Sequence, residues 1–172
     1  MKSLIFLTMI LSSLFAGDNF FFKSRTDVAP VNNQLYINEC SACHFAYQPG
    51  LLPSKAWSKM MSNLSDHFDT DASLDPEDLE KISKYLNDNS AEKNMQYKRS
   101  NRIISSLIPG QIPASISTTP YIIKKHRKIR KDLITQKEVK GLFNCMACHT
   151  IADKGIYNDD DVNIPNYGRW DD

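Results

Sequence analysis

The sequence contains few of the residues that most metal and redox sites require. Its 172 residues include four cysteines and four histidines. It also lacks long apolar runs: apart from a short one at the amino terminus, no stretch is long or apolar enough to cross a bilayer. The formal net charge is +1, and nothing in the composition indicates a nucleic-acid partner. The arrangement of the few cysteines and histidines therefore carries most of the functional information.

All four cysteines and two of the histidines fall in two pentapeptides, CSACH at Cys40–His44 and CMACH at Cys145–His149. Cys-x-x-Cys-His is the attachment signature of c-type haem. On a helical turn, residues i, i+3 and i+4 share one face, so both sulfurs and the imidazole can address one porphyrin. The pattern predicts two haem c groups held by thioethers, with one proximal histidine each: Cys40, Cys43 and His44 for the first, and Cys145, Cys148 and His149 for the second.

The cysteines have three other interpretations, which are two disulfides, a thioredoxin-like redox pair and a Cys-rich zinc site. None of these requires a histidine directly after each cysteine pair. No cysteine is left over once both motifs are assigned. Haem attachment is therefore the favoured interpretation.

The amino terminus has the pattern of a secretory signal peptide. Lys2 precedes a short apolar run from Leu4 to Phe15, which is too short to span a membrane alone. Cleavage after Ala16 is the main expectation, and an uncleaved amphipathic anchor is the alternative. Export agrees with the motifs, because c-type haem is ligated outside the bacterial cytoplasm. The predicted location is the periplasm, with no integral membrane segment after signal removal.

Chain length and motif spacing point to different domain counts. The length favours about one domain, whereas two motifs 105 residues apart favour two small lobes, each stabilised by its haem. We expect a mostly α fold with two small helical haem lobes. The predicted divisions are a signal peptide at 1–16, a linker at 17–30, an amino-terminal lobe at 31–90, an interlobe connection at 91–118 and a carboxy-terminal lobe at 119–172.

Apolar periodicity and capping residues predict most of the helices. The first three expected helices cover residues 31–39, Ser54 to Phe68, with Met60 and His67 on one stripe, and Pro76 to about Asn87. A fourth begins at Thr119-Pro120 and has Ile122, His126 and Ile129 on one stripe. A fifth begins at a Thr135/Glu138 capping box and runs into the second motif. Residues 94–108 are a further helical candidate, and residues 106–118 are expected to be extended.

The two histidines outside the motifs, His67 and His126, are candidates for the sixth iron position. Each lies 23 residues from a proximal histidine, His67 after His44 and His126 before His149. Met60, Met61 and Met95 are the competing ligands, and crossed histidine pairing stays open. The supply of histidines favours bis-histidine ligation at both irons, which lowers the reduction potential relative to Met/His ligation.

Two filled axial positions leave no open site for oxygen, peroxide or substrate. The predicted function is then single-electron transfer between redox partners, without catalysis. The alternative is a haem enzyme, such as a peroxidase or reductase, or a gas-binding protein, and either needs one open or displaceable axial position.

Charge is distributed unevenly along the chain. Residues 17–95 carry a net charge of −5, residues 96–158 carry +9 and residues 159–172 carry −4. Six of the eight residues at 124–131 are Lys or Arg. This run is interpreted as the solvated side of an amphipathic helix, or else as a docking patch for an acidic redox partner or a source of haem-propionate contacts.

The chain resembles the dihaem cytochrome c (DHC) family of bacterial periplasmic electron carriers. The matching positions are the segment 39–53, Trp57, Met60, His67-Phe68, Pro120, Lys125-His126 and the second motif. The resemblance implies an amino-terminal lobe similar to class I cytochrome c, a less standard carboxy-terminal lobe and two low-potential haems. It also implies a membrane b-type cytochrome as electron donor and an oxygen-binding monohaem c-type protein as acceptor.

Overall fold

The computed structural model describes residues 26–170. The predicted signal peptide and most of the predicted linker lie outside this range. The fold is mostly helical, as predicted. Its elements are α1 (Gln34–Cys40), α2 (Ser54–Met61), α3 (Pro76–Asp88), α4 (Lys98–Ser106), α5 (Pro120–His126), α6 (Lys131–Thr135) and a short antiparallel hairpin of β1 (Asn163–Ile164) and β2 (Gly168–Arg169), with several 3-10 turns between them.

The starts of α3 and α5 agree with the prediction, whereas α1 begins at Gln34, three residues after the predicted start. The Asn33 side chain accepts a hydrogen bond from the backbone N–H of Tyr36 at 2.9 Å and caps α1. Helices α3 and α5 both begin with a proline at their first position, after Asp75 and Thr119. The helical candidate at 94–108 contains α4. These starts follow from local sequence, because an unpaired N–H at a helix start is satisfied by a neighbouring side chain or removed by proline.

The predicted helix from Ser54 to Phe68 is too long. Helix α2 ends at Met61, and His67 lies in an irregular loop after a 3-10 turn at Leu64–Asp66. Phe68 and Asp69 both have positive φ, at 54° and 65°. Because α2 ends before His67 is reached, His67 does not share a helical stripe with Met60. This loop carries His67 beside the first motif instead.

The predicted helix leading into the second motif is also wrong. Thr135 is the last residue of α6 and is not a cap of a following helix. Lys140 and Gly141 have φ of 65° and 150°, so the chain cannot continue as a helix toward Cys145. The motif itself forms a 3-10 turn at Cys145–Ala147, and the His149 N–H donates to the Cys145 carbonyl at 2.8 Å.

The first motif lies at the end of a helix and not within one. Cys40 is the last residue of α1, and Cys43 and His44 lie in the turn that follows. The expectation of one continuous helical turn is therefore wrong here. The turn still keeps the three residues close in sequence and in space.

The amino-terminal core lies between α1, α2 and α3. Its buried side chains are Tyr36, Ala46, Leu52, Ala56, Trp57, Met61, Ile82 and Leu86. The indole N–H of Trp57 donates to the Pro49 carbonyl at 2.8 Å, so the only polar atom of this large buried ring is satisfied. Burying these apolar surfaces provides most of the stability of this part of the chain.

A smaller core forms near the carboxy terminus, where Leu133, Val162 and Ile164 are buried together beside the hairpin. Val28, Leu51 and Ile103 form a third cluster. Ile116 packs against both this cluster and the amino-terminal core.

The first residues of the described range form backbone hydrogen bonds with the carboxy-terminal half of the chain. The N–H groups of Asp27 and Val28 both donate to the Gly155 carbonyl, at 2.8 and 3.1 Å. Gly155 has a φ of 74°, and a Cβ at this position would lie 2.3 Å from the Val28 carbonyl oxygen. Only glycine fits this close approach.

Within residues 26–170, no helix has the length and apolar character required to cross a membrane.

Candidate haem-binding sites

The first site brings His44 and His67 together. Their ring centroids are 6.2 Å apart, with an angle of 35° between the ring planes. The His44 Nδ1 lies 2.8 Å from the Phe45 carbonyl. Because a carbonyl oxygen only accepts, Nδ1 is the protonated nitrogen and Nε2 has a free lone pair for a metal.

The second site brings His126 and His149 together. Their centroids are also 6.2 Å apart, and the rings are nearly perpendicular, at 78°. The His126 Nδ1 donates to the Ile122 carbonyl, one turn earlier in α5, at 2.8 Å. This bond orients the ring and leaves Nε2 as the metal-binding nitrogen.

The separation of each histidine pair fits one shared metal ion. A metal–imidazole bond is about 2 Å long, so two imidazoles ligating one metal from opposite sides have centroids roughly 6 Å apart. Both pairs have this separation. Two imidazoles in direct hydrogen-bonded contact would be closer, and unrelated histidines have no reason to adopt one spacing twice.

Burial keeps histidines at both sites neutral. It lowers the pKa of His149 to about 4, with further contributions from His126 and Arg99. Burial, and then the neighbouring His44, also lower the pKa of His67. A neutral imidazole is the form that ligates iron, so these surroundings suit a metal ligand at neutral pH.

The four cysteines are free and available as thiols. Burial raises the pKa of Cys40 to about 11, with a smaller contribution from Glu39, and burial raises the pKa of Cys145 to about 11. A thioredoxin-like pair requires a lowered thiol pKa, so the surroundings oppose that interpretation. Within residues 26–170, no three His, Cys, Asp or Glu side chains are grouped as metal ligands.

A cavity lies beside the second motif. His126 and His149 line it together with Cys145 and Cys148. Apolar side chains complete the wall: Leu51, Ile116, Ile122, Ile129, Leu133, Ile134, Val139, Leu142, Val162, Ile164 and Trp170. A mostly apolar cavity with convergent thiols and imidazoles is suited to a large flat cofactor with reactive vinyl edges.

Three apolar residues of the carboxy-terminal tail belong to this wall. Val162, Ile164 and Trp170 line the cavity, whereas Tyr167 is 53% exposed and packs against Trp170. Asp159 is exposed and pairs with Lys125 at 3.0 Å.

The methionines proposed as competing ligands have other surroundings. Met61 is buried in the amino-terminal core, and Met60 packs against that core. Met95 is 41% exposed.

Tyr47 connects the first site to the second motif. Its ring lies 4.7 Å from the His44 ring, centroid to centroid. Its hydroxyl donates to the Phe143 carbonyl at 2.5 Å, and Phe143 is two residues before Cys145. Burial, with a contribution from Cys145, raises the pKa of Tyr47, so the phenol stays protonated and remains a donor.

Gln48 and Tyr157 form a second connection. The fully buried Gln48 side chain donates to the carbonyls of Ala152 and Asp153, at 2.6 and 3.2 Å. It accepts a hydrogen bond from the Tyr157 hydroxyl at 2.7 Å. The Tyr157 ring lies 5.5 Å from the His149 ring, so this connection ends at the second site.

A buried arginine occupies the edge of the second cavity. Arg99, from α4, is 6% exposed and donates to the Tyr121 hydroxyl and the Tyr157 carbonyl. Its Nε lies 3.7 Å from a carboxylate oxygen of the buried Asp27. A buried charge requires such partners.

Sequence reasoning missed Arg99, Gln48 and Tyr157. Arg99 lies in the segment interpreted as an interlobe connection, and nothing in its neighbouring residues distinguishes it from an exposed arginine. Gln48 does fall within the segment that resembles the DHC family, which was the one available signal.

Comparison with known proteins agrees with the geometry. The family model for dihaem cytochrome c matches residues 36–157. The chain is 34% identical to a diheme cytochrome c from Shewanella baltica OS155, over 81% of this chain and 98% of that one, with a TM-score of 0.67. A diheme cytochrome c from Rhodobacter sphaeroides gives 34% identity, 76% and 100% coverage, and a TM-score of 0.67. None of the curated proteins compared matches the chain.

Proposed function

Because the chain belongs to the dihaem cytochrome c family, with two c-type haems as its cofactors, we propose that it carries single electrons between redox proteins and catalyses no reaction. The observation that supports this proposal is the pair of opposed histidines at both sites, each with centroids 6.2 Å apart. Two imidazoles per metal leave no axial position for a substrate.

The proposed roles of the site residues follow from their chemistry. Cys40, Cys43, Cys145 and Cys148 would hold the two haems through thioethers, and His44, His67, His126 and His149 would ligate the irons. The haem irons supply the one-electron ferric/ferrous change, and the protein sets the potential through ligands and hydrogen bonds. The Nδ1 bonds of His44 and His126 to carbonyls increase the basicity of Nε2, which favours ferric iron and a low potential.

We further propose the cellular setting from the sequence. The predicted signal peptide and the two motifs support export to the periplasm. The family resemblance supports a membrane b-type cytochrome as donor and an oxygen-binding monohaem c-type protein as acceptor. The two motifs, each with its own histidine pair and apolar core, support the division into two haem lobes.

Low-temperature EPR of the oxidised protein, and carbon monoxide addition after reduction, test the proposal. We expect two low-spin ferric signals of bis-imidazole type and no change in the reduced spectrum with carbon monoxide. A high-spin ferric signal, or carbon monoxide binding at one haem, would mean an open iron and would favour a haem enzyme or gas-binding protein instead.

Removal of each distal histidine tests the ligand assignment. We expect His67→Ala and His126→Ala each to convert one low-spin haem to a high-spin, carbon-monoxide-binding haem, because the replacement side chain has no ligating atom. Met60→Leu, Met61→Leu and Met95→Leu serve as controls and should leave the spectra unchanged. An unaltered low-spin spectrum in a histidine variant would contradict the assignment at that site.

A further inference from the structure

A cleft between α4 and α5 is lined mainly by basic side chains. We call it the basic cleft and define it by Lys98, Arg102, Lys124 and Lys125. Lys98, Arg102 and Lys124 are exposed, and they form no ion pair with any of residues 26–170. The basic run at 124–131 thus contributes part of a larger surface that also includes α4.

Asp159 is the one acidic residue that lines the basic cleft, among the residues described. It pairs with Lys125 at 3.0 Å and approaches Arg99 at 3.6 Å. Burial raises the pKa of Asp159, but the bond to Lys125 and the charge of Arg99 bring this pKa below its ordinary value. Asp159 is therefore ionised and offsets part of the positive charge, since it pairs with Lys125 and also interacts with the charge of Lys98. Among the residues described, five basic side chains line the cleft against this one carboxylate, so the cleft keeps a positive charge.

The concentration of positive charge opposes folding. Lys98 and Arg102 are four residues apart on α4, where like charges repel and destabilise a helix. Lys124 adds a further positive charge from α5. Folding alone gives no reason for this arrangement, whereas binding of an anionic partner does.

The floor of the basic cleft is also the wall of the second haem cavity. Arg99, Tyr121, Lys125 and Asp159 line both spaces. One layer of side chains therefore separates a partner in the cleft from the cavity that contains His126 and His149. Such a short separation suits electron exchange at this surface.

We propose that the basic cleft is the docking surface for an acidic redox protein, and that the second site exchanges electrons with that partner. This inference rests on the proposed electron-carrier function. One electron crosses between the second site and the partner, one side being oxidised as the other is reduced, with no bond made or broken. Positive charge beside the site steers an anionic partner and raises its association rate.

A protein fits this surface better than a membrane does. Carboxylate side chains projecting from a folded protein reach into a concave cleft between two helices. A planar layer of anionic headgroups contacts only the rim of such a cleft and would not approach its floor.

Stopped-flow oxidation of the reduced holoprotein by hexacyanoferrate(III) tests the proposal, since each event moves one electron to this anionic probe. We compare the parent, the triple variant Lys98→Glu/Arg102→Glu/Lys124→Glu, and a control, Lys55→Glu/Lys59→Glu/Lys93→Glu, which changes the net charge by the same amount away from the cleft. At low salt we expect the cleft variant to react at least about tenfold more slowly than the control. The cationic oxidant tris(bipyridine)cobalt(III) should show the opposite order.

Two further measurements keep the result decisive if the triple variant does not fold. The parent's rate with hexacyanoferrate(III) should fall as salt rises, despite a formal net charge of only +1, because the local charge is screened. Polyglutamate should slow the same reaction in the parent, and polylysine should not. Equal rates in the two variants, or a parent rate insensitive to both salt and polyglutamate, would overturn the docking assignment.

Vesicle inhibition and the reactions with the two oxidants distinguish a wrong partner from a wrong function. Inhibition by phosphatidylglycerol vesicles, without inhibition by polyglutamate, would overturn the protein partner in favour of a membrane surface. If neither oxidant accepts electrons from the reduced parent, the electron-carrier function itself fails. If both oxidants react at rates independent of the cleft residues, that function stands and only the docking surface fails.

Discussion

At the scale of single residues, hydrogen bonds decide what the aromatic side chains at each site do. The His44 and His126 rings each donate Nδ1–H to a carbonyl at 2.8 Å. Tyr47 packs its ring on His44 and directs its hydroxyl to the Phe143 carbonyl. The Tyr47 ring thus packs against a histidine of the first site, and its hydroxyl oxygen bonds to the backbone just before the second motif.

Tyr47→Phe separates these two roles. We expect the variant to keep both low-spin spectra, because the ring remains. The free energy of unfolding should fall by about 1 kcal/mol, the usual net value of one hydrogen bond. Denaturant unfolding of the holoprotein measures the difference, with Tyr167→Phe, whose side chain is 53% exposed, as the control. Equal loss in both variants would argue against a role for the Phe143 contact.

At the scale of elements, α2 shows that a distant residue can complete a helix end. Pro53 precedes the helix and offers no capping side chain. The Glu92 carboxylate accepts hydrogen bonds from the Ser54 N–H, at 2.9 and 3.2 Å, and from the Ser54 hydroxyl. A carboxylate at a helix start pairs with open N–H groups and with the positive end of the helix dipole.

Glu92→Gln should destabilise the protein in a pH-dependent way. Burial raises the pKa of Glu92, but its bonds to Ser54 lower it more, so the folded pKa lies below the ordinary value. The stabilisation is therefore fully present above the unfolded pKa and is lost as the pH falls through the folded pKa. We expect about 1 kcal/mol at pH 7, a typical capping value for a largely exposed group.

Chemical unfolding of parent and Glu92→Gln at pH 7 and at pH 3 measures this effect. Their difference in free energy should shrink at the lower pH. Glu80→Gln, on the exposed side of α3, is the control and should show little difference at either pH. If the difference in the free energy of unfolding between parent and variant is the same at both pH values, the charge of Glu92 contributes nothing to stability.

At the scale of the whole molecule, buried polar contacts join the two haem-binding motifs. Gln48 is four residues after His44, yet its side chain bonds to Ala152, Asp153 and Tyr157 beyond the second motif. Asp27 adds a further connection, since it accepts from the Tyr157 N–H at 2.8 Å and lies beside Arg99. Buried polar groups of this kind are expensive to separate, so both halves should unfold together.

Gln48→Ala should lower the stability of both halves. The substitution leaves the Tyr157 hydroxyl and two carbonyls without their partner, and we expect a loss of about 3 kcal/mol. Unfolding followed by far-UV circular dichroism and by Soret absorbance should give one coincident transition in the parent. Gln34→Ala, on the exposed face of α1, is the control. Separate transitions in the parent would contradict a single cooperative unit.

Local sequence was sufficient for features that depend on neighbouring residues. The haem-attachment pattern, the mostly helical composition and the starts of α3 and α5 all follow from spacing and capping within a few positions. Errors occurred where backbone conformation changed without a strong local signal. Phe68 and Lys140 adopt positive φ, although neither is a glycine, and the helices predicted to include these positions were wrong.

The tertiary structure alone revealed the contacts between distant positions. Pattern analysis offered His67 and His126 as candidates, but only the folded chain brings them beside His44 and His149, because loop geometry and not helical periodicity carries His67. Arg99, Gln48 and Tyr157 carry no motif, and the hydrogen bonds of Tyr157 with Arg99 and with Gln48 join residues 58 and 109 positions apart along the chain. Motifs are recognisable from sequence because covalent attachment requires fixed spacing, whereas buried hydrogen bonds and charge clusters require only proximity in space.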